Sequence, residues 1–208
     1  MSEAVKANRR AAVSDFKASA ILEAAGRVFE TEGLDGASMR AIAKEAGYTA
    51  GAIYAYFSSK EVLYAALLDQ SLTRLAAAIE EADVRTLSAP ERFVAAGLAF
   101  YDYYDENPRD LDLGFYLFRG GIKPRGLTSE LDAELNGKLV ASLRPITDAA
   151  RGLGIDGEAA RKVTADAFAH ATGLLLLAHT RRLDLFGFAA RDLLGEHLFA
   201  LLRDLGAR

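Results

Sequence analysis

SMRAIAKEAGYTAGAIYAYFSSKE, residues 38–61, is the stretch on which the fold turns. Met39, Ile42, Ala43 and Ala46 fall on one face at helical spacing, and Ser38 stands where a helix of that phase needs an N-cap. Gly47 breaks this helix, and Thr49 caps a third, shorter one after a very tight connection. Two short helices joined by so few residues, with glycine in the turn and alanine at the crossing, describe a helix-turn-helix. Ser58 then opens "SSKE", a capping box with Glu61 three residues on, and a fourth helix runs to about Glu81.

Working upstream, Ile21, Ala24, Ala25, Val28 and Phe29 repeat on one face, so a first helix is expected from about Ser14 to Glu32, ended by Gly33. Residues 1–13 hold Lys6, Arg9 and Arg10, read either as a solvated, disordered tail or as a basic arm reaching an adjacent groove or phosphate. Downstream, "SAPE" caps a helix that "NP" ends near Glu106. Further helices are expected over 109–119, 128–152, 156–183 and 188–205, with "RGGIKPRG" the most irregular stretch between them. The pattern is all-α, about nine helices. It divides into a small head, 1–57, and a larger helical body, 58–208, joined through the fourth helix.

Composition agrees. The chain has 208 residues, of which 51% are hydrophobic, enough for a substantial core. It has no cysteine, which excludes disulfides and thiolate chemistry and suits a reducing cytoplasm. The first residues have no apolar signal-peptide core, and "AFAHATGLLLLA" is too short to span a bilayer, so a cytoplasmic chain without membrane partners is expected. The net charge of −4 argues against indiscriminate polyanion binding, yet residues 1–60 carry eight Lys/Arg against seven Asp/Glu and the acidic excess lies beyond them.

The third helix raises the question of function. At 100° per residue, Ile53 and Phe57 share its buried side, Gly51, Ala52 and Ala55 lie roughly opposite, and Tyr54 and Tyr56 straddle that bare face. One reading is a tight helix–helix contact through small residues, with half-buried tyrosines keeping their hydroxyls wet. The other is that the bare face lets the helix axis approach a DNA major groove, with the hydroxyls of Thr49, Tyr54 and Tyr56 on phosphates of either wall.

Residues 17–66, through "ILEAAGRVFETEGLDGASMRAIAKEAGYTAGAIYAYFSSKEVLYAAL", resemble the DNA-binding domain of the TetR family of transcriptional regulators. The resemblance implies phosphate contacts for Ser38 and Arg40, contacts of the recognition helix for Thr49, Tyr54 and Tyr56, and a DNA-facing basic residue in Lys60. Ala50, Gly51, Ala52 and Ala55 occupy the positions that face bases, where many relatives place a basic or polar residue at 50 and a histidine at 55. Tyr48 replaces a commoner small aliphatic residue. With these side chains, hydrogen bonds to base edges are nearly unavailable, so specificity should lean on thymine methyls, Tyr48 and Tyr54, bound water and DNA shape.

The body shows no catalytic signature. His170, His179 and His197 lack metal-ligand spacing, and no nucleophile elbow, P-loop or Rossmann fingerprint appears. No enzyme activity, metal or cofactor is expected. The helix at 156–183 is apolar on every side, with Val163, Ala167, Ala171, Leu174 and Ala178 as one stripe and Gly173, Leu177 and Thr180 facing elsewhere. Together with Leu194, Leu198 and Leu201 of the last helix, these three are expected at a homodimer interface, as the resemblance also implies. An effector pocket, again implied by the resemblance, has candidate lining residues Tyr101, Tyr104, Phe115, Phe118, Arg119 and His170, chosen by helix phase. The expected function is a homodimeric repressor that binds a palindromic double-stranded operator and is released by a small-molecule effector. An effector-independent DNA-binding protein and, more remotely, a helical enzyme are the alternatives.

Overall fold

The computed structural model describes residues 3–82, 86–119 and 127–205. Among them there is no strand, and ten α-helices follow in order: α1 Glu3–Gly36, α2 Met39–Ala46, α3 Ala50–Tyr54, α4 Lys60–Ala82, α5 Ala89–Glu106, α6 Pro108–Arg119, α7 Ser129–Ser142, α8 Arg144–Gly152, α9 Gly157–His179 and α10 Ala190–Asp204. A 3₁₀ turn, Leu183–Leu185, precedes α10.

The all-α expectation holds, with differences that have local causes. The expected helix over 128–152 is two helices, because Pro145 lacks an N–H and its ring would collide with the carbonyl four residues back. The described residues therefore hold ten helices rather than the nine expected. The first helix begins eleven residues earlier than Ser14, so the segment with Arg9 and Arg10 is helical rather than a disordered tail. Gly33 does interrupt it: with φ of 67° it takes the left-handed conformation that glycine adopts without penalty, and 34–36 form a further turn beyond the kink. The cap of α4 is shifted by one residue, since the Val62 N–H reaches the Ser59 hydroxyl at 3.3 Å rather than Ser58. By contrast Ser88 and Glu91 form the expected box, the Glu91 carboxylate accepting from the Ser88 N–H at 2.8 Å and from its hydroxyl at 2.7 Å.

The residues fall into two compact units, Met1–Gln70 with Asp112–Leu135, and Ser71–Leu111 with Asn136–Arg208. The division expected after residue 57 differs from this one, since α4 continues in one helix past the head. In the first unit Ile21, Ala24, Ala25 and Phe29 of α1 meet Ile42 and Ala43 of α2 and Ile53 of α3 in a common core. Tyr64 closes it, with its ring edge-on to Phe29 at 5.8 Å and its hydroxyl donating to the Leu113 carbonyl.

In the second unit α5 is the central element, with Phe93, Ala96, Phe100 and Tyr104 buried. Gly97 allows α10 to come close: a Cβ there would stand 2.8 Å from a methyl of Leu198. A polar knot lies inside this unit. Arg74 grips the Asp110 carboxylate through two 2.9 Å bonds, and the Tyr103 hydroxyl donates to the same carboxylate. Burial, more than the neighbouring carboxylates, pushes the phenols up, Tyr101 to about 12 and Tyr103 and Tyr104 in the same direction. Helix α4 has an apolar window long enough to cross a membrane by length and composition, but Leu63, Leu68, Leu72, Leu75 and Ile79 within it are buried in the protein.

Candidate nucleic-acid interface

The helix-turn-helix is built by its caps. The Ser38 hydroxyl oxygen accepts from Ala41 N–H at 3.1 Å and starts α2. Gly47, with φ of 71°, returns its N–H to the end of α2, and the Tyr48 N–H reaches the Ala43 carbonyl at 2.9 Å. Thr49 Oγ1 then accepts from Ala52 N–H at 3.2 Å and starts α3. Each capping hydroxyl accepts from the backbone and keeps its own proton, so each can still donate to an anionic oxygen. Arg27 of α1 bonds Glu45 of α2 at 2.6 Å, which ties the two helices on their outer side.

Around this frame Ser38, Arg40, Thr49, Gly51, Tyr54, Ala55 and Tyr56 are exposed, Tyr54 at 55%, while Tyr48, Ala50, Ala52 and Lys60 are half-buried. Ile53 is fully buried. One short helix thus turns its isoleucine inward and leaves small residues flanked by two phenols outside. A Cβ at Gly51 would meet nothing within 4 Å, so packing does not require glycine there.

Lys60 has a use that its sequence position does not reveal. Its Nζ donates to three backbone carbonyls at the end of α1: Leu34 at 2.7 Å, Ala37 at 3.0 Å and Asp35 at 3.2 Å. Helical spacing offered no signal for this, because the acceptors lie more than twenty residues away.

Three of the residues anticipated as lining a pocket in the body, Tyr101, Tyr104 and His170, are described in full. Tyr101 and Tyr104 are packed in the core of the second unit. His170 is half-buried and stacks on His197 with ring centroids 3.8 Å apart, while His197 Nε2 lies 2.8 Å from Asp166. Burial first and His197 second push the His170 imidazole below its ordinary value. The side chains of Phe115, Phe118 and Arg119 lie outside the described residues, as does 120–126 of the irregular stretch.

The second unit carries instead a cleft of about 720 Å³, lined from α4 by Leu72, Ala76 and Glu80, from α7 by Lys138, and from α8 by Arg144 and Asp148. Each helix contributes at helical spacing, a pattern shared by any solvated face, so this lining was not legible beforehand.

Gly173, Leu177 and Thr180 are exposed as expected, and Leu201 is half-buried. Leu194 and Leu198 are not: both are 0% exposed within their own chain, because α10 presses them onto α5 and α9. The exposed apolar residues of these helices are Leu176, at 51%, Leu177 and Phe199, at 60%, followed by Leu185, Phe186 and Phe188 of the connection.

A capped pair of short helices with an inward isoleucine and an outward small-residue face is the architecture of a helix-turn-helix DNA-binding protein. Residues 21–67 match the family model described as "Bacterial regulatory proteins, tetR family". The chain is 33% identical over 153 residues to the HTH-type transcriptional repressor NicS of Pseudomonas putida, covering 72% of this chain and 70% of that protein. It is also 33% identical over 101 residues to the HTH-type transcriptional activator FasR of Mycolicibacterium smegmatis, covering 49% of this chain and 46% of that one. The match thus spans about half the length of FasR and of two other curated relatives. A solved tetR-family regulatory protein from Rhodococcus RHA1 has the same fold, with a TM-score of 0.67 at 22% identity over 92% of this chain and 98% of that one. The chain belongs to the TetR family, and the relatives it matches are regulators of transcription, not enzymes.

Proposed function

We propose that this chain is a cytoplasmic, homodimeric repressor that binds a palindromic operator and leaves it when a small molecule occupies the second unit. The observation that carries the DNA reading is the outer face of α3: Gly51 and Ala55 bare, Tyr54 and Tyr56 exposed beside them, and the capping hydroxyls of Ser38 and Thr49 at the helix starts. Such a face brings the helix axis close to the groove floor while hydroxyls and Arg40 take the phosphates. Base readout then rests on methyl contacts, water and groove shape, because no base-facing side chain carries a strong donor or acceptor.

The homodimer reading is supported by Leu176, Leu177 and Phe199, which are too apolar and too exposed to suit a lone subunit. Two heads related by a two-fold axis would read half-sites one DNA turn apart, about 34–36 Å. The cleft supports the ligand reading: its volume lies in the range of about 300–1,000 Å³ that holds small molecules. Its wall offers Leu72 and Ala76 to an apolar body, with Glu80, Lys138, Arg144 and Asp148 as charged groups of both signs around it.

The test is a pair of titrations. Operator affinity is measured by fluorescence anisotropy with and without candidate small-molecule ligands, then ligand affinity with and without operator. Linkage requires the two ratios to agree, and a coupling of about 1–3 kcal/mol gives a change of roughly 5–150-fold. A ligand that fills the cleft and leaves operator affinity unchanged refutes the mechanism for that ligand. A wild-type chain that selects no duplex refutes the DNA reading itself.

A further inference from the structure

We propose that Lys60 is a positioning residue that holds the DNA-binding helices in register, and that its ammonium makes no contact with phosphate. The inference deepens the proposed DNA binding and rests on that reading.

Three observations carry it. An ammonium has three N–H donors and no acceptor, and here all three point at carbonyls, those of Leu34, Asp35 and Ala37. The carbonyls that end a helix have no partner inside it and carry the negative end of its dipole, so a cation placed among them is both bonded and electrostatically favoured. The turn they belong to lies between the Gly33 kink and Ser38, the cap of α2, and its Leu34 and Ala37 side chains are buried.

The consequence follows from chain order. Lys60 is the first residue of α4 and comes six residues after the end of α3. Its side chain therefore links the exit of the recognition helix to the entry of α2, closing the segment 34–60 into a ring. Ser38 and Arg40 stand just past one end of the link, Tyr54 and Tyr56 just before the other. Any shift of the first turn of α4 pulls on the turn that presents Ser38. Lys60 acts on DNA through the placement of these groups.

The experiment uses the full-length chain with Lys60→Met, which keeps the stem and removes the charge, and Lys60→Arg, which keeps the charge but spreads its donors in a planar fork. The DNA probe is a fluorescein-labelled duplex selected by the wild-type protein from a random-sequence library. Affinity is measured at low temperature, where each variant is confirmed folded by circular dichroism, across salt from about 50 to 200 mM. Hydrogen exchange over residues 34–41 is followed in the free protein.

The expected result is binding about tenfold weaker per half-site in Lys60→Met, about a hundredfold for the dimer, the order of one lost charge-assisted contact in each head, with an unchanged salt slope. Exchange over 34–41 should quicken while the amides of α5 and α9 stay protected, and Lys60→Arg should not restore affinity. A slope shallower by about 0.9 per half-site, with unchanged exchange and rescue by arginine, would identify a phosphate contact and overturn the inference. Unchanged affinity in Lys60→Met overturns it as well. Should Lys60→Met not fold, Lys60→Gln is read by the same criteria. If the wild type selects no duplex, the DNA reading falls, and hydrogen exchange alone still decides whether Lys60 holds the turn.

Discussion

Gly51→Ala separates what the fold needs from what the proposed function needs. Glycine at 51 lies inside α3, is exposed, and has open space where a Cβ would go. Alanine is the better helix former by about 0.5–1 kcal/mol, and the smaller figure is apt in the first turn of so short a helix. Stability should therefore rise by about 0.5 kcal/mol, or roughly 1–2 °C in melting temperature for a chain of this size, followed by circular dichroism at the helical band. DNA affinity should move the opposite way. A methyl on the face proposed to enter the groove holds the helix off its phosphate walls, and losing about 1 kcal/mol per half-site costs about 2 kcal/mol per dimer. That is about 30-fold in operator affinity by fluorescence anisotropy. The reasoning fails if Gly51→Ala binds as tightly as the wild type, because the bare face would then have no role in approach. It fails equally if the variant is less stable, because the space around Gly51 would not be open.

Leu198→Ala should lower stability by about 2–5 kcal/mol in chemical denaturation with the oligomeric state unchanged, since Leu198 fills its own subunit's core. Phe199→Glu should leave subunit folding intact yet shift sedimentation to monomer, and an unaltered dimer would refute the proposed interface. Asp110→Ala should destabilise by about 1–3 kcal/mol, more than Tyr103→Phe, because it removes the carboxylate shared by the half-exposed Arg74 and the buried Tyr103 hydroxyl. Tyr101, Tyr103 and Tyr104 have phenols raised in the folded state, so they bind protons more tightly there than when unfolded. Stability from them is complete below the ordinary tyrosine value of about 10 and is lost as pH rises, for Tyr101 through about 12. Stability in chemical denaturation should therefore fall above about pH 10, and a stability unchanged between about pH 10 and 12 would refute this.

The head was legible because its signals are local. The hydroxyl of Ser38 caps a residue three positions on, that of Thr49 likewise, and Gly47 turns the chain between them. The inward set Ile42, Ala43 and Ile53 follows from helical spacing alone. In the body the inner stripe of α9 was equally plain, and Val163, Ala167, Ala171 and Leu174 are buried. The break at Pro145 was also readable from the residue type, although a continuous helix was expected over it.

Helix periodicity tells which residues share a face but not what covers that face. Leu194 and Leu198 read as an outward stripe of α10, yet α5 reaches them because Gly97 clears the way, and Phe199 is left outside. The same limit hid the cleft, which exists only where α4, distant in sequence, leaves room against the side chains of α7 and α8. It also hid the link from Lys60 to Leu34, Asp35 and Ala37, since a lysine at a helix start looks the same whether its ammonium meets solvent, an anion or its own backbone. By itself the sequence determined the all-α pattern, most of the helices and the caps of the helix-turn-helix, set by interactions within a few residues. Only the tertiary structure decided which apolar faces are spent inside the subunit and where Lys60 places its charge, because both depend on groups brought together from distant parts of the chain.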